Sequence, residues 1–219
     1  MLSTTSRTEI KKGANKAVSD RQALYDIIDE SLVAHIAITT QDQPYVIPML
    51  AWRVDDHVYI HGAHNSRLLR NLKSGSQTCL TFTLFDGWVL ARSAFHHSAH
   101  YRSAVVLGQF TPIEDLSDKD RLLNHFIEQI APQRTQDVRL SSTKELNATM
   151  LLAIPLTEAS VKISCGEVND DQSDLSLNAF AGYLPYRTVV GPLTAASDSK
   201  HQHLPDYSQA YGSRWHEET

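Results

Sequence analysis

The chain has 219 residues, 42% of them hydrophobic and 21% charged, with a formal net charge of -5. That make-up suits a soluble globular protein with a core of useful size, and the acidic excess argues against a nucleic-acid partner, since phosphate binding shows as basic excess. Two cysteines, Cys79 and Cys165, without CxxC spacing exclude a disulfide scaffold and a thiolate zinc site; with no apolar leader and no membrane-length run, the expectation is a cytoplasmic protein without a membrane partner.

Residues 1–18 are polar and read as a flexible arm. SDRQALYDIIDES (19–31) reads as a helix: Ser19 or Asp20 can cap it, and Ala23, Leu24, Ile27 and Ile28 form an apolar stripe at helical spacing. The period then changes. LVAHIAIT (32–39) and YVIPMLAWRV (45–54) are strands on either side of a QDQP turn, and VYIHG (58–62) follows a DDH turn. Pro48 has no N–H for a ladder, so it marks a bulge or an edge strand. HNSRLLRNLKSGS (64–76) is a short helix. QTCLTFTLF (77–85), WVLARSAF (88–95) and YRSAVVLGQFTPI (101–113) are three more strands, the first two separated by Asp-Gly. A helix over 117–130, a short helix running into a strand over 143–156, and a strand at 159–165 complete the list.

The strands are mostly consecutive, and the region from 77 to 113 lacks the helices a doubly wound parallel sheet needs. The fold class is therefore mainly β, a largely antiparallel closed sheet with small helices at its corners. The domain is expected over 19–165. Residues 166–219 are polar and punctuated by Pro and Gly, and read as an extended segment packing on the domain or on a partner.

Two stretches carry chemistry. In YIHGAHNSRLLRNL (59–72), a strand ends in Gly and a polar turn opens a helix at Asn65, Ser66 and Arg67. Free N–H groups, a hydroxyl and a guanidinium are what a phosphate group needs. The residues alone also fit an N-cap serine beside a solvated arginine. In SAFHHSAHYRSAVVLG (93–108), the adjacent His96 and His97 face opposite ways on a strand and cannot easily share a metal. His96 and His100 converge only across a turn, and no Cys or acidic residue lies close in sequence, so no metal site is assigned. Tyr101 and Ser103 alternate and share one face. Trp52 and Trp88 either pack the barrel or stack on a ligand.

The proline-bearing strand, YIHG, the NSR helix opening, TCLTFTLF, the HHSAHYRS stretch and FAGYLP (180–185) together resemble the pyridoxamine 5'-phosphate oxidase-related family of FMN-binding split-barrel proteins, over residues 20–190 or so. The resemblance implies a six-stranded antiparallel split β-barrel that forms a homodimer, with FMN at the subunit interface. It implies that Ser66 and Arg67 grip the FMN phosphate beside Asn65. Val46, Ile47, Pro48, Met49 and Leu50 line the isoalloxazine edge, with His61 and Gly62 near the ring or ribityl chain, and Tyr101 and Ser103 facing the same cleft. A basic residue commonly follows the Ser-Arg pair, where this chain has Leu68; the rest of the phosphate charge then falls to Arg70, Arg53 or the second subunit. His61, His100 and Tyr101 are the candidate catalytic side chains. The function implied is an FMN-dependent oxidoreductase passing electrons from a nicotinamide donor to a small organic acceptor, with a flavin carrier or sensor, or a haem-binding relative, as alternatives. An Arg-x-His near the C-terminus, in GSRWHEE (212–218), is read as coincidental, and His201, His203 and His216 carry no assigned role.

Overall fold

The computed structural model describes residues 1–2, 5–200 and 207; the C-terminal GSRWHEE and its neighbouring histidines lie outside the described residues. In chain order the elements are β1 (Ala17–Val18), α1 (Arg21–Ser31), β2 (Val33–Thr40), β3 (Gln43–Leu50), β4 (Trp52–Val54), β5 (His57–Ala63), α2 (Arg67–Lys73), β6 (Gln77–Leu90), β7 (Ser98–Gln109), β8 (Thr111–Pro112), α3 (Leu116–Ile130), α4 (Arg134–Asp137), α5 (Thr143–Ala148), β9 (Thr149–Pro155), β10 (Ala159–Ser164) and β11 (Gly182–Pro185). The first sheet runs β1-β10-β7-β6-β2-β3, with β11 also on β6; the second runs β4-β5-β9-β8, and every pairing is antiparallel.

The expected antiparallel β fold is borne out, with more and differently divided strands. The run read as one strand over 45–54 breaks at Ala51, where the chain leaves the first sheet for the second. The run over 101–113 does the same at Phe110, which is fully buried. By contrast, 77–85 and 88–95 are not two strands. β6 passes through Asp86-Gly87 as a bulge, because β7 pairs with it on both sides of the irregularity.

Both sheets close on one core. Ile36, Leu80, Phe82 and Val106 from the first sheet meet Val58, Ile60, Leu152 and Ile154 from the second, with Leu24, Ile27 and Ile28 of α1 covering one end. Asp20 caps α1 by accepting from Gln22 N. Each large apolar side chain buried there contributes about 1.5–3 kcal/mol. A smaller cluster of Trp52, Tyr59, Leu122, Leu151 and Ala153 joins the outer side of the second sheet to α3. Trp52 is thus a packing residue. The N-terminal arm is tied to the domain: Thr5 and Arg7 bond Glu158, Leu2 N donates to Ser19 O, and β1 adds to the β10 edge.

Candidate functional site

β3 ends the first sheet, which is where a proline can sit in a strand without breaking a ladder on both sides. The pleat divides the five residues expected to line a ligand. Val46, Pro48 and Leu50 point outward, with Val46 63% and Leu50 54% exposed. Ile47 and Met49 point inward and pack on the core. The outward residues form an apolar strip on the sheet's outer face.

A polar corner lies at α2, which packs against β3 through the inward-facing Tyr45 and Met49. Ser66 caps this helix, its Oγ accepting from Leu69 N at 3.4 Å, which leaves its O–H able to donate. The Arg67 guanidinium lies 4.4 Å from the centre of the Tyr45 ring on β3. Asn65, Arg67 and Arg70 are exposed, whereas Leu68 is buried. Leucine is therefore explained at the position where a basic residue was expected: it faces the core. Arg70 is placed to add charge beside Arg67. Arg53 is not, since it pairs with Asp29 at 2.5 Å and lies over the Tyr25 ring. At Gly62 a Cβ would stand 2.9 Å from the Leu69 methyl and 3.7 Å from Met49, so this glycine lets β5, α2 and β3 close together. A hydroxyl and two exposed guanidinium groups, which form no ion pair among the described residues, fit the anionic tail of a ligand, and an apolar strip fits a flat ring.

His61 does not face this strip. Successive residues of a strand point to opposite sides, so with Gly62 turned to the barrel, His61 lies on the α3 side. Its ring is 5.6 Å from those of both Trp52 and Phe126. Its Nδ1 is buried without a hydrogen-bond partner among the described residues, as is Trp52 Nε1. Burial pushes the His61 pKa below its ordinary value, so the ring is held neutral.

Tyr101 and Ser103 do share the outer face of the first sheet with the strip. Registers place Pro48, His35, Thr81, Val105 and Ser160 in one row across five strands, and Ser103 follows two residues along. Three strand spacings, roughly 14 Å, separate β3 from β7 on that face. The Ser66 corner is farther still: Gln109 Nε2 donates to Gly75 O just beyond α2, and the eight residues from Tyr101 to Gln109 span roughly 26 Å. A single chain therefore does not bring Tyr101 to the anion corner. His100 faces the C-terminal segment, with Nε2 3.1 Å from Gly166 O and its ring 4.9 Å from that of Tyr183.

The histidine stretch is a short 3-10 turn, Ala94–His96, followed directly by β7. His96 Nδ1 meets Ser93 Oγ at 2.8 Å, and its Nε2 stands 3.9 Å from Asp171, with Asp174 beside it. These acidic neighbours lie more than seventy residues away and could not be read from local spacing. His97 Nδ1 donates to Ser93 O at 2.9 Å and leaves Nε2 open.

One constellation escaped the sequence reading. Arg102 points to the barrel side and is gripped by Asp86 (2.7 and 3.0 Å) and by both Glu30 oxygens. These hydrogen bonds raise the guanidinium pKa above its already high value. The DG dipeptide, read as a turn, concealed Asp86 as a strand residue.

A family profile described as pyridoxamine 5'-phosphate oxidase matches residues 20–163. Among curated proteins no sequence matches the chain. The structure is similar to that of the flavocytochrome Anf3 from Azotobacter vinelandii, at 31% identity and a TM-score of 0.86, over 92% of this chain and 94% of that one. It is also similar to an FAD- and haem-binding protein from Mycobacterium smegmatis, at 34% identity and a TM-score of 0.83, over 89% and 96%. By profile, fold and these likenesses, the chain belongs to the pyridoxamine 5'-phosphate oxidase-related family of split-barrel flavoproteins.

Proposed function

We propose that the protein is a flavin-binding oxidoreductase that works as a cytoplasmic homodimer. The observation that carries this reading is the set of anion donors at the opening of α2, Ser66 and Arg67, held against the edge strand β3 by the Arg67–Tyr45 contact. The flavin supplies hydride and electron chemistry when bound. Ser66, Arg67, Arg70 and Asn65 hold its phosphate, and the β3 strip orients the ring. FMN is the expected cofactor. FAD carries the same flavin and a phosphate at the same place, and a relative at 34% identity is described as binding FAD. Electrons pass from a nicotinamide donor to a small organic acceptor.

The homodimer reading is supported by the outer face of the first sheet. There, the exposed Val46 and Leu50 adjoin the half-buried Val33, Ala37, Cys79, Val105 and Leu107 on one apolar face, which a second copy would cover. Such a dimer would also set Tyr101 and Ser103 of one subunit against the strip of the other.

A flavocytochrome is the second reading, favoured because both relatives above 30% identity are described in terms that include haem or cytochrome. His97, His64 and His100 each have one ring nitrogen held by a backbone carbonyl and no hydrogen bond at the other among the described residues, the arrangement that orients an imidazole ligand. Visible spectroscopy of the purified protein, followed by release and chromatography of its nucleotide, tests both. Flavin bands alone support the first reading, an added Soret band supports the second, and a protein that is colourless and refuses both FMN and FAD contradicts both.

A further inference from the structure

β6 is paired along one side by β7, but only in two pieces along the other. β2 covers Cys79–Thr81 and β11 covers Gly87–Leu90. Between them, Phe82–Asp86 has no strand partner on that side among the described residues. This gap opens into a cleft of about 600 Å³ between the end of α1 and the segment after β11. Small-molecule sites commonly fall at roughly 300–1,000 Å³.

The walls are aromatic and the rim is fixed. Phe85 and Tyr186 meet edge to face at 5.2 Å, and Tyr186 N donates to Asp86 O at 3.0 Å. The charges balance: Glu30 and Asp86 are both spent on Arg102, and Arg187, which forms no ion pair among the described residues, offsets the remaining negative charge. A net charge on the ligand gains nothing in such a place. What the cleft does offer is paired donors and acceptors. A strand edge without a neighbour presents main-chain N–H and C=O groups side by side, and Ser31 Oγ is buried in the wall without a hydrogen-bond partner among the described residues. A buried hydroxyl left unpaired is unfavourable, and a ligand's hydrogen bond would satisfy it. A group with a donor and an acceptor on one edge satisfies both, and that group is an amide.

We infer that this cleft binds an uncharged planar aromatic ring bearing a carboxamide or ring amide. The cleft adjoins the flavin strip. Leu32 lines it and accepts from Ala51 N at 3.1 Å, and Val33 pairs with Leu50, the last residue of the strip. As the place where a reactant approaches the flavin it rests on the flavin reading; as a pocket it does not.

The test is isothermal titration of the purified protein with quinoline-3-carboxamide and, separately, with quinoline-3-carboxylate. The carboxamide should bind at least about tenfold more tightly than the carboxylate. Ser31→Ala should weaken the carboxamide about fivefold or more while thermal stability does not fall and flavin content stays unchanged. Binding of neither compound, equal or tighter binding of the carboxylate, or an unchanged affinity in Ser31→Ala overturns the inference. Flavin content is measured on the same samples, which separates the two ideas. A protein without flavin that still prefers the carboxamide keeps the pocket and loses the flavin reading. A flavin-loaded protein without that preference does the reverse.

Discussion

Arg67 stacks its guanidinium over the ring of Tyr45, 4.4 Å from its centre, and so fixes the opening of α2 against the edge strand β3. The contact holds an exposed cation at the start of α2 beside the edge strand. An exposed cation–π pair is worth only about 0.5–1 kcal/mol to the fold, whereas a charged hydrogen bond to phosphate is worth about 1.5–3 kcal/mol. Arg67→Gln should therefore weaken flavin binding roughly 10- to 100-fold, with a change in stability under about 1 kcal/mol. Fluorescence titration with FMN and FAD, beside urea denaturation, reads the two effects separately.

His61 ties stability to pH. Its folded pKa is depressed by burial from an ordinary 6.5. Between that value and its own lower one, the unfolded chain takes up a proton that the folded chain does not. The stabilisation is present above about pH 6.5 and lost as pH falls through the folded value. His61→Phe should flatten the stability profile below about pH 6.5, where the parent declines. A parent with no decline there would contradict the placement of His61 between Trp52 and Phe126.

Lys119 is a buried lysine whose Nζ donates to Leu146 O at 3.2 Å and Thr149 O at 3.1 Å, joining α3 to the α5–β9 corner. Lys119→Met keeps the apolar stem and removes the donors. With both of its hydrogen bonds removed, a loss of about 1–3 kcal/mol in denaturant unfolding is expected.

Gly87 sits at φ 150° in the β6 bulge, and a Cβ there would stand 2.5 Å from the carbonyl oxygen of Leu184. Gly87→Ala should release β11 rather than unfold the barrel. In hydrogen exchange, the β11 amides should lose protection, while those of Leu80 and Phe82 keep theirs. Because β11 carries one wall of the cleft, the same variant should lose carboxamide binding.

How much of this was legible in the residues follows from what local pattern encodes. The α1 stripe, the edge position of Pro48 and the shared face of Tyr101 and Ser103 depend on neighbours a few positions apart, and the periods of 3.6 and 2 report them. The breaks at Ala51 and Phe110 do not show, since an apolar run looks the same whether it stays in one sheet or crosses to the next. The direction of His61 turned on a one-residue question of pleat: had Gly62 not been needed against Leu69, either side would have suited a histidine. Arg102 was the least legible, because its partners Asp86 and Glu30 lie 16 and 72 residues away. Only the closed barrel brings them together.

The most direct test of the central claim is the visible absorption spectrum of the purified protein, taken alone and after addition of FMN or FAD, for the parent and for Arg67→Gln. The structure predicts the two-banded spectrum of a bound oxidised flavin in the parent, and its loss or strong reduction in Arg67→Gln at the same flavin concentration. A parent that shows no bound flavin and no spectral change on adding either nucleotide would contradict the account. So would an Arg67→Gln protein that binds flavin as tightly as the parent.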